Sequence, residues 1–153
     1  MKRLKWGSLL GLVAMLGAMP VLAQSANFGT LTLDAGKTAG TLSGTTGGST
    51  SLPAIVSSSD RNNNKCLGFA DPNPDHLLIL KQDVASLKLR VKSDGADTTL
   101  VVQGTDSIRC GDDTGANKDA SITDTNWKAG TYKIWVGSAT PGVRKDYSLS
   151  VRQ

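Results

Sequence analysis

The chain contains no glutamate; all 13 of its acidic residues are aspartate. Aspartate bonds to nearby backbone in turns and loops, whereas glutamate favours helices. That absence argues against a helical bundle, a coiled coil or a disordered acidic tail. Aromatic residues make up only 5% of the 153, and His76 is the sole histidine. One histidine leaves a single candidate for the base of a serine-protease triad. There is no run of lysine or arginine, and beyond residue 23 no apolar stretch long enough for a membrane helix. All three methionines, Met1, Met15 and Met19, lie in the first 19 positions.

What is present begins with an address. Lys2, Arg3 and Lys5 precede a short apolar stretch over residues 9–16, and Pro20 then breaks any helix. Val21-Leu22-Ala23 puts small residues at the positions a signal peptidase reads. Residues 1–23 are expected to be a secretory signal peptide cleaved after Ala23, using the general secretory route to the periplasm or the outside. Without them the basic residues fall from 17 to 14 against 13 aspartates, so the formal charge drops from +4 to +1. The basic balance is therefore evidence for export, and it gives no argument for a nucleic-acid partner or for stable membrane insertion. In an exported chain Cys66 and Cys110 are expected to form a disulfide, because a metal or redox site would need more ligands or a C-x-x-C spacing. Closing a loop of that size is worth about 4 kcal/mol in the chain-entropy model.

The remainder reads as short strands. Leu31 and Leu33 share one face of a strand over 28–34. Residues 35–51, rich in Gly, Thr and Ser, read as a flexible connection or a loose first part of the domain, and Pro53 marks 51–57 as an edge strand. Leu77-Leu78-Ile79-Leu80 is a compact apolar run. Leu87, Leu89 and Val91 alternate with Lys88, Arg90 and Lys92, the pattern of a half-buried strand. Leu100-Val101-Val102 follows, then a short strand at 107–110, then Tyr132, Ile134 and Val136 on one face, and finally Tyr147, Leu149 and Val151. Turn signals separate them, and no segment holds a helical period. The expectation is all-β: one antiparallel, jelly-roll-like β-sandwich, with residues 24–65 as N-terminal strands and connection and 66–153 as the core.

The order of these pieces resembles the bacterial pre-peptidase C-terminal domain. The resemblance runs over residues 66–152: Pro74-Asp-His-Leu-Leu-Ile-Leu, Leu87-Lys-Leu-Arg-Val-Lys-Ser, Asp97-Thr-Thr-Leu-Val-Val-Gln-Gly, Cys110-Gly-Asp-Asp, Trp127-Lys-Ala-Gly-Thr-Tyr-Lys-Ile-Trp-Val-Gly-Ser and Tyr147-Ser-Leu-Ser-Val. It implies a jelly-roll-like sandwich of the kind usually appended to secreted proteases, where it serves substrate binding, secretion or solubility without catalysing anything. Some members bind calcium. Here the module is expected to stand alone behind its leader.

Candidate chemistry is thin. His76 sits beside Asp75, but no serine stands in a G-x-S-x-G or G-D-S-G-G setting. Asp113-Thr114-Gly115-Ala116 spells an aspartic-protease signature, yet that reaction needs two such aspartates sharing a proton. Gly36-Lys37-Thr38 lacks the glycine five positions earlier that a phosphate loop requires, since Leu31 stands there. Asp112, Asp113, Asn117 and Asp119, near Asp97 and Asp106 in sequence, offer calcium the right oxygens without the regular loop spacing. Trp135 and Lys133 point away from Tyr132, Ile134 and Val136; if that face is open they form a binding surface, and if it is covered Trp135 is core. Trp127 is expected to plug one end of the sandwich. The chain is therefore expected to be an exported, non-enzymatic module binding a protein or polysaccharide and requiring no cofactor. A secreted hydrolase and a calcium-stabilised structural module are the alternatives.

Overall fold

Leu87, Leu89 and Val91 are buried and the cations between them are exposed, as the alternation predicts. The same logic repeated along the chain makes two sheets. The computed structural model describes residues 24–114 and 117–153. The expected signal peptide, residues 1–23, lies outside the described residues, as do Gly115 and Ala116 of the Asp-Thr-Gly-Ala signature. The elements in chain order are β1 (Gly29–Leu33), β2 (Ala39–Thr45), β3 (Thr50–Ser51), α1 (Leu52–Ile55), β4 (Phe69–Ala70), β5 (His76–Leu80), β6 (Val84–Lys92), β7 (Thr98–Gln103), β8 (Ile108–Gly111), β9 (Asp113–Thr114), β10 (Asn117–Trp127), β11 (Gly130–Ser138) and β12 (Asp146–Arg152). No helix among the described residues is long and apolar enough to cross a membrane.

Five strands form one sheet in the order β2-β12-β6-β10-β9, antiparallel throughout. The other sheet is built around β11, which pairs with β5 and β4 along its length and with β7, itself paired to β8. β1 lies outside β5, and β3 lies outside β4. The all-β sandwich is as expected, with one departure from an antiparallel arrangement: β1 runs parallel to β5. A tight turn follows β1. Asp34 accepts the backbone N–H groups of Gly36 and Lys37 on its carboxylate, reversing the chain, but β1 and β2 then join different sheets.

Between the sheets, Leu33, Leu78, Ile134, Leu100 and Val102 meet Leu87, Leu89, Ile122, Leu149 and Val151. Trp127 is fully buried in this core, in keeping with its expected role as a plug. A second, smaller core lies on the outer face of the seven-stranded sheet, where Leu52, Cys66 and Ala70 cover Val101, Cys110 and Trp135.

Three expectations need correction. The 35–51 segment is mostly strand: β2 pairs with β12 from Ala39↔Arg152 to Thr45↔Asp146. Its inward positions are Gly40, Leu42 and Gly44; Leu42 packs on the core, and the two glycines stand where there is no room for more. A Cβ on Gly40 would lie 2.4 Å from Leu31, and one on Gly44 would lie 2.5 Å from the Tyr147 hydroxyl. Pro53 does not mark an edge strand; it sits in the first turn of α1, where its missing N–H costs nothing. Between the short strand at 107–110 and the strand carrying Tyr132, where no strand was expected, stand β9 and β10.

Candidate functional site

The loop before Cys66 is organised around one carboxylate. Asp60 accepts the backbone N–H groups of Asn62, Asn64 and Cys110 and the side-chain amide of Asn64. Partial burial works against its charge, but these four donors prevail and hold its pKa below the ordinary value. The Cys66–Cys110 disulfide, as expected from sequence, ties the following residues to β8. Loop, β8 and β10 together wall a cleft of about 400 Å³. Asp60, Asn64, Lys65, Leu67, Asp112 and Thr123 line it. Leu67 is 43% exposed, one of two large hydrophobic side chains so exposed among the described residues.

Arg109 fixes the floor. It is 1% exposed and its guanidinium is spent entirely on protein: Nε donates to Asp124 at 2.7 Å, Nη1 to the Ser107 hydroxyl, and Nη2 to the carbonyls of Thr125 and Asn126. It also stacks 3.7 Å from the centroid of Trp127. Arg61 reaches the other oxygen of Asp124 at 3.0 Å. Burial opposes the Asp124 charge, but the Thr125 N–H and the two arginines lower its pKa nonetheless. Sequence reasoning missed Asp60, Arg109 and Asp124. A signal existed for Arg109: once Cys110 turns outward to its disulfide, alternation turns Arg109 inward, and its register partner is the core residue Val102.

The acidic residues converge differently from the set read in the sequence. Asp97, Asp112 and Asp113 bring carboxylate oxygens within 4.8 Å of one another. Burial and then the charges of Asp113 and Asp97 raise the Asp112 pKa. Asp119 is turned to Ser93, whose backbone N–H and hydroxyl both donate to it. Asn117 lines a separate groove with Asp119. Calcium takes six to eight oxygens, so the three convergent carboxylates supply part of a coordination shell.

His76 is fully buried. Its Nε2 lies 2.9 Å from the Tyr147 hydroxyl, and Phe28 packs tilted against its ring. Burial pushes its pKa down to about 4. The neighbouring Asp75 carboxylate accepts the Val136 N–H at 2.8 Å, yet burial pushes its pKa up to about 7. A neutral imidazole sealed beneath Phe28 and engaged by a tyrosine is core chemistry, and a general base must reach its substrate. Asp113, by contrast, is exposed on β9 at a sheet edge.

The structure decides the alternatives left open for Trp135. It is 2% exposed, packed in the second core, and its indole N–H points at the Pro72 carbonyl. It is not an open stacking platform, because the 52–70 segment covers it; Lys133 remains partly exposed.

No protein-family model matches the chain, and no curated protein matches it in sequence. Solved structures similar in fold include the following two. The pre-peptidase C-terminal domain of a collagenase from Bacillus anthracis is 19% identical, over 85% of this chain and 97% of that one, with a TM-score of 0.45. A periplasmic inhibitor of g-type lysozyme from Aeromonas hydrophila is 14% identical, over 84% and 98%, with a TM-score of 0.47. The sandwich itself stands on this chain's own strand pairings.

Proposed function

We propose that the chain is an exported, non-catalytic binding module that holds a partner protein in the cleft at its cross-linked end. One observation carries this reading: the exposed apolar side chain of Leu67 stands in a polar cleft whose walls are braced by the protein's own contacts. Asp60, the disulfide and the Arg109–Asp124 pair hold those walls. Pre-organisation of this kind lowers the ordering cost of binding. Export is supported by the disulfide, which persists in oxidising compartments.

Two measurements test the reading. The purified chain is expected to leave casein intact; cleavage abolished by Asp113→Ala or His76→Ala would overturn the non-catalytic assignment. Immobilised chain is expected to retain a protein from its own export fraction and to lose it on Leu67→Asp. Equal retention by that variant removes the cleft from the proposal.

A further inference from the structure

The outer face of the five-stranded sheet is a different surface from the cleft. Along β6, Lys88, Arg90 and Lys92 all point outward and are exposed, roughly 7 Å apart at two residues of strand rise. Register places Arg152 of β12 directly beside Lys88, and Ser150 beside Arg90. Among the described residues none of these four cations takes part in an ion pair. The acids near this row stand at its Lys92 end: Asp94 and Asp146 share a groove with Lys92, and Asp119 shares one with Arg90 and Lys92, where Asp146 is engaged by the Thr45 hydroxyl and Asp119 by Ser93. A chain close to neutral after loss of its first 23 residues thus gathers four positive charges outside any ion pair on one face, where Lys88, Arg90, Ser150 and Arg152 line a shallow groove.

From this charge pattern and its hydroxyl-bearing neighbours, we propose that the face binds an acidic polysaccharide, with Lys88, Arg90 and Arg152 at the centre of the contact. This rests on the reading of the chain as an exported binding module. Charge complementarity selects a polyanion, and the neighbouring side chains choose among polyanions. β2 and β12 offer Thr41, Ser43, Ser148 and Ser150 around the cations. Hydroxyls suit a sugar polymer, and guanidinium groups engage carboxylates through paired hydrogen bonds. A lipid surface would call for apolar or aromatic anchors, and a single-stranded nucleic acid for aromatic platforms. The outward positions of β2, β6 and β12 carry neither: they read Ala, Thr, Ser, Lys, Arg and Asp. A linear polymer laid along β6 would meet a cation at every second residue.

The experiment uses the purified chain on immobilised polygalacturonate, with dextran, phosphatidylglycerol vesicles and single-stranded DNA as comparators. The expected result is salt-sensitive retention on polygalacturonate and none on dextran. Retention should weaken about tenfold or more in K88Q/R90Q/R152Q and in the single variant Arg90→Glu, with unchanged melting midpoints. Leu67→Asp should bind the polymer like the parent chain. Absence of retention, equal retention by the charge variants, or tighter binding to vesicles or DNA would overturn the assignment. Release of new reducing ends from the polymer would instead sink the non-catalytic reading, while leaving the face as the point of contact.

Discussion

The two outer faces of the sandwich are treated in opposite ways. On the seven-stranded sheet, β7 is buried on both sides, with Val102 inside the sandwich and Val101 beneath the 52–70 segment. On the five-stranded sheet, β6 is buried on one side only, and its other side is a row of cations in water. The sequences announce the difference. A continuous apolar run, Leu100-Val101-Val102, belongs to a strand covered twice, whereas strict alternation belongs to a strand covered once. The covered face carries the disulfide and a buried tryptophan; the bare face has neither. Stability should therefore concentrate on one face, leaving the other free for recognition.

The largest break in that contrast would come from the cross-link. Replacing Cys66 and Cys110 together by alanine is expected to cost about 4 kcal/mol in the chain-entropy model, read as a shift in urea midpoint. Trp135→Ala on the same face should cost about 3 kcal/mol for lost burial and the cavity left behind. On the bare face, Arg90→Ala should stay within about 0.5 kcal/mol. If Arg90→Ala proved as damaging as Trp135→Ala, the bare face would be structural and the division of labour would fail.

Next in size is a pH effect confined to the seven-stranded sheet. Asp75 is raised from 3.8 to about 7, so the native state keeps a proton that the unfolded chain gives up, and this residue's contribution falls as pH rises across that interval. His76 is lowered from 6.5 to about 4, so the unfolded chain binds a proton that the native state refuses, and its contribution rises with pH across that interval. Between about pH 4 and 6.5 the two slopes oppose each other, because folding in effect moves a proton from His76 to Asp75. The pair is expected to contribute little pH dependence there. His76→Gln should uncover a fall of about 1.4 kcal/mol per pH unit, and Asp75→Asn a rise of the same size. Denaturation midpoints at half-unit pH steps would check this, and parallel profiles for the two variants would refute it.

Much of this architecture was legible because it obeys a period of two. The inward faces of β6, β11 and β12 follow from Leu87-Leu89-Val91, Tyr132-Ile134-Val136 and Tyr147-Leu149-Val151. Other strands were hidden by what their inward positions had to hold. β2 presents Gly40 and Gly44 inward, since Leu31 and Tyr147 leave no space, and glycine reads as loop. β10 points Asp124 toward Arg109 where a hydrophobic residue would have revealed a strand. The cleft was illegible for a related reason. Asp60 and Arg109 lie 49 positions apart, and their partners are set by register and loop closure rather than by neighbourhood in sequence. The cationic row could be read as an alternation, but the placement of Arg152 beside Lys88 and Ser150 beside Arg90 appears only once β12 is laid beside β6.

The smallest effect is expected at the acidic corner, where Asp97, Asp112 and Asp113 crowd together. A carboxyl whose pKa folding raises costs stability once ionised, so Asp112→Asn should raise the melting midpoint slightly at pH 7. The gain should vanish near pH 3, where the carboxyl is neutral in both folded and unfolded chains. Calcium gives the same variant a second use. If the ion spans these carboxylates, millimolar calcium will raise the parent midpoint above its value in chelator, and Asp112→Asn will abolish the rise. Identical parent midpoints in calcium and chelator would leave three repelling aspartates at the β9 edge of the five-stranded sheet, a local cost of folding that no metal offsets.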